Sequence, residues 1–251
     1  MSRLLRASMP VVDSLCDEFA DSDFKPRFFE LKTDRKNPNL PDPLALKTRD
    51  GTPITVSGFI DRVDTFKSGE DVYVRVVDYK TGQKEFSPSD IAEGKNLQMF
   101  IYLKSIVEST SEGFRREIGV GEGGEIIPAG VIYVKAALGD VKIDSYNDDV
   151  AWDALKDKQK REGMILNEPE CYDAMNANFL PVNPKSEKLS EKDRAKLYSR
   201  EEWDRLNETI ETVILDFAEE MKSGNIRAIP SQDRVGGCSY CQFKPFCRVA
   251  K

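Results

Sequence analysis

A mixed α/β fold, with a central mixed sheet, flanking helices and a cysteine-containing C-terminal extension, is predicted by three features of the sequence. Short β-branched and apolar runs between residues 27 and 79 are punctuated by turn residues. A helical segment near residue 100 stands between two such runs, at 72–79 and 129–138. A further amphipathic helix with clear start and stop signals precedes three clustered cysteines.

Taken in order, residues 10–20 read as a helix and 27–33 as a strand. The stretch Asn37-Pro38-Asn39-Leu40-Pro41-Asp42-Pro43 is an irregular connection, because its prolines can continue neither element. Strands are expected at 44–48 and 54–66, joined through Asp50-Gly51, then at 72–79 after the turn at 67–71, so that the segment reads as an antiparallel meander. Ser87-Pro88-Ser89-Asp90 carries a Ser cap, a proline at the first helical position and an acid in the first turn, which predicts a helix from there to about Glu108. Its apolar residues spread beyond one stripe, so it is expected to be covered on more than one side. After the glycine-rich tip at 119–124, residues 129–138 return as a strand. Residues 148–161 read as a polar helix and 163–190 as an extended, irregular passage. Ser199-Arg200-Glu201-Glu202 is a capping box that opens a helix closed by Gly224. The expected organisation is one domain over 1–224, with its core at about 25–138 and a helical extension at about 148–224, followed by a tail at 225–251.

Charged residues are 32% and apolar residues 39% of the 251, with no apolar run of about 18, which predicts a globular chain without a membrane span. No secretory signal is visible at the start, so a cytosolic location is expected. The net charge of −7 argues against a nucleic-acid partner until its distribution is considered. From residue 226 onward, Arg227, Arg234, Lys244, Arg248 and Lys251 face the single acid Asp233, so the tail is locally basic. There is no histidine, which leaves carboxylates, Lys, Tyr and Cys to carry any chemistry. Of the five cysteines, Cys16 and Cys171 stand alone and read as small buried hydrophobes, while Cys238, Cys241 and Cys247 form C-x2-C-x5-C. That spacing points to iron-sulfur or zinc ligation, with a fourth ligand missing in either case.

The chemistry concentrates on two strands. Asp78 and Lys80, two apart, leave the same face of a strand whose preceding residues of equal parity are Val72, Val74 and Val76. Charges at the end of an apolar stripe are costly unless paired or bound to a cation. Asp61 can return beside them across the hairpin, giving two carboxylates and one ammonium, a set suited to a hard divalent cation and phosphodiester hydrolysis. Strand parity turns Asp64 away from Asp61, toward a structural pairing near Arg62. Glu30 is an acid on the first strand, read as an edge-strand residue with a fourth acid near the metal as the alternative.

Gly58-Phe59-Ile60-Asp61-Arg62-Val63-Asp64, Asp78-Tyr79-Lys80-Thr81-Gly82 and Gln98-Met99-Phe100-Ile101-Tyr102 are similar, in order and interval, to the consecutive motifs of RecB-like nucleases of the PD-(D/E)XK superfamily. The segment from Cys238 to Arg248 resembles the closing segment of AddB (RexB) subunits of AddAB-type helicase-nucleases. The resemblance implies a restriction-endonuclease-like core and Mg2+ or Mn2+ held by Asp61, Asp78 and the Tyr79 carbonyl. It implies Lys80 acting on the attacking water and the phosphate, and Gln98 and Tyr102 holding substrate or positioning Lys80. It further implies Cys238, Cys241 and Cys247 as three ligands of a 4Fe-4S cluster, DNA as substrate, an AddA-type helicase-nuclease partner and a nucleoid-associated role in double-strand-break repair. Two features of the family, an upstream His or Glu motif and an upstream first cysteine, are not found in this sequence. The chain is therefore expected to be the C-terminal piece of a larger subunit, unable alone to hold a stable cluster, with its tail tethered by contacts such as those of Phe243 and Phe246. The alternatives are a DNA-binding or scaffolding module of the same complex that has lost turnover, and a stand-alone RecB-like exonuclease.

Overall fold

The computed structural model describes residues 2–80, 87, 90–91, 94–136, 160–225, 238 and 241–247, with residues 2–8 by backbone alone. The element order is α1 (Ser2–Ala20), β1 (Lys25–Lys32), β2 (Leu44–Lys47), β3 (Pro53–Val56), β4 (Phe59–Ser68), β5 (Asp71–Lys80), α2 (Leu97–Val107), α3 (Glu112–Ile118), β6 (Ile126–Lys135), β7 (Glu162–Leu166), α4 (Pro169–Asp173), a 3₁₀ turn (Ala177–Phe179), α5 (Glu191–Arg194), β8 (Leu197–Tyr198) and α6 (Arg200–Lys222). One sheet runs β1-β4-β5-β6-β7-β8, and β2-β3 form a separate hairpin. Pairing is antiparallel for β1/β4, β4/β5 and β6/β7 and parallel for β5/β6 and β7/β8. The sheet is therefore mixed, as predicted.

The centre of the sheet is β5 and β6, which bury almost every residue because helices cover both faces. α2 lies against both strands and is itself buried around most of its circumference, from Leu97 through Ile106. α1 covers the face that carries Arg75 and Tyr79, with the Arg75 guanidinium bonded to Glu18 and stacked over Phe24. α6 starts at the expected capping box, where Ser199 Oγ accepts from Glu202 N–H and Ser199 N–H donates back to the Glu202 carboxylate. It stops where Gly224 takes a φ of 73°.

Several boundaries differ from the sequence expectation. The run 54–66 is two strands in two sheets, broken at Ser57-Gly58, so the expected meander is interrupted by a hairpin of its own. The break is stabilised by Gly58 N–H donating to Thr33 Oγ1 and Thr33 N–H donating to the Gly58 carbonyl. The helix expected from Ser87 begins only at Leu97, because Gly94 and Asn96 both take positive φ and Asp90 closes a loop by accepting from the Asn96 amide. Residues 88–89 and 92–93 of that expected helix lie outside the described ones. The passage 163–190 is more structured than expected: β7 and α4 fall in or at its edge, and Gly163 brings the β7 backbone so near Val131 that a Cβ there would meet its carbonyl at 1.9 Å. α1 continues ahead of Pro10, and Pro26 sits beside a bulge of β1, an edge strand that tolerates it. The expected helix at 148–161 lies outside the described residues up to 159, as does Leu138.

Candidate active site

The site forms where the β4/β5 ladder ends. Paired residues run from Ser68↔Asp71 to Arg62↔Val77 and then stop. One step further along this register stand Asp61 and Asp78, the first residues beyond the ladder, on one face with Val63 and Val76. In place of a strand carbonyl, Asp61 Oδ2 accepts the Tyr79 backbone N–H at 3.1 Å. Asp78 is 8% exposed, at the end of the buried stripe of Val72, Val74 and Val76. Lys80 Nζ lies 2.8 Å from Asp78 Oδ2, with the lysine side chain 48% exposed. That contact is ionic and poorly aligned, so the buried Oδ2 accepts no hydrogen bond. The structure thus brings Asp61, Asp78, Lys80 and the Tyr79 backbone to one spot.

Gln98 and Tyr102 form a second group. Gln98 Nε2 donates to the Tyr102 hydroxyl at 3.1 Å, and that phenol rests on Gly58, where a Cβ would come within 2.2 Å of the hydroxyl oxygen. Tyr102 therefore meets the chain three residues ahead of Asp61, just before β4 begins. Tyr102 is buried and Gln98 exposed, a rim position. Glu30, on β1, falls between the pairs Phe29↔Arg62 and Leu31↔Ile60 and so stands across from Asp61 in the register. It takes a φ of 51°, a conformation rare for a residue with a side chain.

Sequence reasoning did not find Tyr133. On β6 it pairs with Asp78, its ring lies 5.5 Å from the Lys80 ammonium, and burial followed by the Asp78 charge pushes its hydroxyl pKa well up. The parallel register that places it there spans a long crossover and leaves no local signal. Asp64 behaves as parity predicted: it is fully buried on the opposite face, 2.9 Å from the Arg62 and Arg75 guanidiniums.

The donor set fits a hard divalent cation. Both carboxylates offer oxygen, one buried oxygen lacks a hydrogen-bond donor, and a cation that retains several waters needs only one or two protein carboxylates. Among the described residues no group of three or more Asp, Glu or Cys side chains is placed to hold a metal. This applies to the cysteines too: Cys241 and Cys247 flank a turn at 242–246, where Cys247 N–H donates to the Phe243 carbonyl at 2.8 Å, but Cys238, Cys241 and Cys247 are not gathered into one group. Phe243 and Phe246 are exposed, so among the described residues they are not buried in the tethering contacts expected of them. Cys171 is buried against the Ala129 carbonyl, and burial raises its thiol pKa well above the ordinary value. Cys16 is exposed, not buried as expected. No helix among the described residues is long and apolar enough to cross a membrane.

A mixed sheet that presents two acids and a lysine at the end of adjacent strands is the arrangement of a restriction-endonuclease-like nuclease fold. The sequence matches the PD-(D/E)XK nuclease superfamily over residues 2–248, and the chain belongs to that superfamily. Nucleases of this superfamily generally use divalent metal ions. Among curated proteins, the chain is similar to the B-type subunit of an ATP-dependent helicase/deoxyribonuclease from Clostridium botulinum (strain Loch Maree / Type A3), at 30% identity over 234 residues, 90% of this chain and 19% of that protein. It is also similar to the proteins of the same name from Thermoanaerobacter sp. (strain X514), at 29% over 82% of this chain and 18% of that one, and Clostridium acetobutylicum, at 24% over 99% and 21%. The chain thus spans about a fifth of the length of these relatives.

Proposed function

We propose that this chain is the nuclease domain of an AddB-type subunit, hydrolysing phosphodiester bonds of DNA unwound by a helicase-nuclease complex during double-strand-break repair and recombination. The observation that carries the reading is the placement of Asp61 and Asp78 just beyond the end of the β4/β5 ladder, with Lys80 on Asp78. Asp61, Asp78 and the Tyr79 carbonyl would hold Mg2+ or Mn2+, which when bound supplies Lewis-acid stabilisation of charge on the phosphate. Lys80, its side chain half exposed, orients the attacking water and stabilises charge on the phosphoryl oxygens. Gln98 and Tyr102, bonded to each other at the rim, position the DNA strand.

In this reading residues 1–224 are the nuclease domain and 225–251 a basic tail. Cys238, Cys241 and Cys247 supply three ligands of a 4Fe-4S cluster, the fourth coming from elsewhere in the longer protein. The partners are DNA ends, unwound single strands and an AddA-type protein, in the cytoplasm at the nucleoid. Digestion of linear single-stranded DNA with Mg2+ or Mn2+, and its loss in EDTA, tests the activity. Asp61→Ala, Asp78→Ala and Lys80→Ala are expected to abolish it without unfolding the chain. Equal rates for wild type and Lys80→Ala, with matched melting curves, would sink the assignment.

A further inference from the structure

We infer that the contact between Arg62 and Tyr79 is a positioning device: it fixes the separation of the Asp61 and Asp78 carboxylates from the opposite face of the sheet and so sets the affinity of the site for a divalent cation. The inference rests on the metal reading above. Its starting point is that the carboxylates sit where regular pairing has ended. The ladder stops at Arg62↔Val77, and two like charges stand just beyond it, where repulsion drives the strand ends apart.

Two cross-strand bonds replace the missing ladder. Tyr79 N–H donates to Asp61 Oδ2 at 3.1 Å, and Arg62 Nη1 donates to the Tyr79 hydroxyl at 2.5 Å. Since Arg62 pairs with Val77, Tyr79 is its diagonal neighbour, a distance that long side chains span. The residues so joined flank the site directly: Arg62 follows Asp61, and Tyr79 lies between Asp78 and Lys80. Fixing Arg62 to Tyr79 therefore fixes both strand ends that carry the acids.

Arg62 is a rigid anchor for this purpose. It is 1% exposed, its Nη2 donates to Asp64 Oδ2 at 3.1 Å, and its guanidinium lies 5.1 Å from the Phe19 ring of α1 and 5.4 Å from the Tyr79 ring. Asp64 is in turn held by Arg75, and Arg75 and Arg161 both bond Glu18 of α1, the first at 2.7 Å and the second at 2.8 and 3.0 Å. A planar fork locked among these groups has little freedom to follow Tyr79 if the strands part.

Titration calorimetry of Mn2+ into the full chain tests the inference, with Tyr79→Phe deleting only the hydroxyl. Mn2+ binding is expected to weaken about 10-fold, in line with other residues that orient metal ligands. The Mn2+ concentration for half-maximal cleavage of linear single-stranded DNA should rise by the same factor, with the melting temperature in EDTA within about 2 °C of wild type. Arg62→Lys keeps the charge facing Asp64 but loses the fork, and should add nothing further when combined with Tyr79→Phe. Wild-type Mn2+ affinity in Tyr79→Phe, whether or not its melting temperature falls, overturns the positioning role so long as Asp78→Ala has lost Mn2+ binding. If Asp78→Ala binds Mn2+ as wild type does, the metal reading itself fails and the positioning role falls with it.

Discussion

Replacing Asp78 by Asn should stabilise the metal-free protein and destabilise it relative to wild type once a divalent cation is present. Opposed residues of an antiparallel pair have Cβ atoms about 5 Å apart, and a β4/β5 register continued by one step would give Asp61 and Asp78 about that spacing. Two unit charges at about 5 Å, in an effective dielectric of about 40 between surface and interior, repel by about 1.7 kcal/mol. Against this, Asp78→Asn loses its ion pair with Lys80, which is half in solvent and contributes at most about 1 kcal/mol. The net gain in EDTA is about 1 kcal/mol, and in a chain of this length that raises the melting temperature by about 2–4 °C. Mn2+ at about 100 times its dissociation constant stabilises wild type by about 2.7 kcal/mol and the variant by little, so the order of the two melting temperatures reverses. Thermal melts in EDTA and in saturating Mn2+ measure both limbs. An order that does not reverse, or a variant that gains as much from Mn2+ as wild type, would refute the claim that these two carboxylates share one cation.

Gly58→Ala is expected to cost about 1–3 kcal/mol in urea melts, because its Cβ would meet the Tyr102 hydroxyl at 2.2 Å and the ring at 2.7 Å. In a Tyr102→Leu background most of that cost should vanish, and strict additivity in the double-mutant cycle would exclude the packing argument. Burial alone would push the Glu18 carboxyl pKa up, but the Arg75 and Arg161 guanidiniums outweigh it and hold the carboxyl below its ordinary value. A depressed carboxylate pKa stabilises the fold above the unfolded value of about 4.3 and ceases to do so as pH falls through the folded value. Glu18→Gln should therefore lose about 3–5 kcal/mol at pH 7, a penalty that shrinks in acid and that equal losses at pH 7 and pH 3 would contradict. Neutralising Arg234, Lys244 and Arg248 together should weaken DNA binding across all sequences and lower the slope of log affinity against log salt by up to about 3; an unchanged isotherm at low salt would remove the tail from the DNA surface.

The grouping of Asp61, Asp78 and Lys80 was legible because it depends on local rules. Asp78 and Lys80 share a face by parity alone, and a hairpin with its turn at 67–71 leaves few registers that keep Val63 and Val76 together in the core. Contacts set by long-range placement were not legible. Tyr133 reaches Asp78 only through a parallel register, and Gly58 reads as one more glycine in a strand until Tyr102 is seen resting on it. The same limit hid the close approach of Gly163 and the strand that contains it, since a short run buried on both sides shows no alternation.

The motif Gly58-Phe59-Ile60-Asp61-Arg62-Val63-Asp64 shows what the missing information was. Read as a string it offers three charges in four residues, and any of them could be assigned to metal or substrate. Folded, it is two-faced. Asp61 and Val63 lie with Asp78 and Val76, whereas Ile60, Arg62 and Asp64 lie on the side of Arg75, Tyr79 and α1. Parity identifies that division, but not the reason a buried arginine and aspartate are kept where apolar residues would pack at lower desolvation cost. The reason lies in the end of the β4/β5 ladder. A pair of acids that must stay close without backbone pairing needs a restraint from behind, and an apolar side chain at position 62 could fill the space without reaching the Tyr79 hydroxyl. The charges on the hidden face thus serve the charges on the open one, and the alternation of the motif joins them.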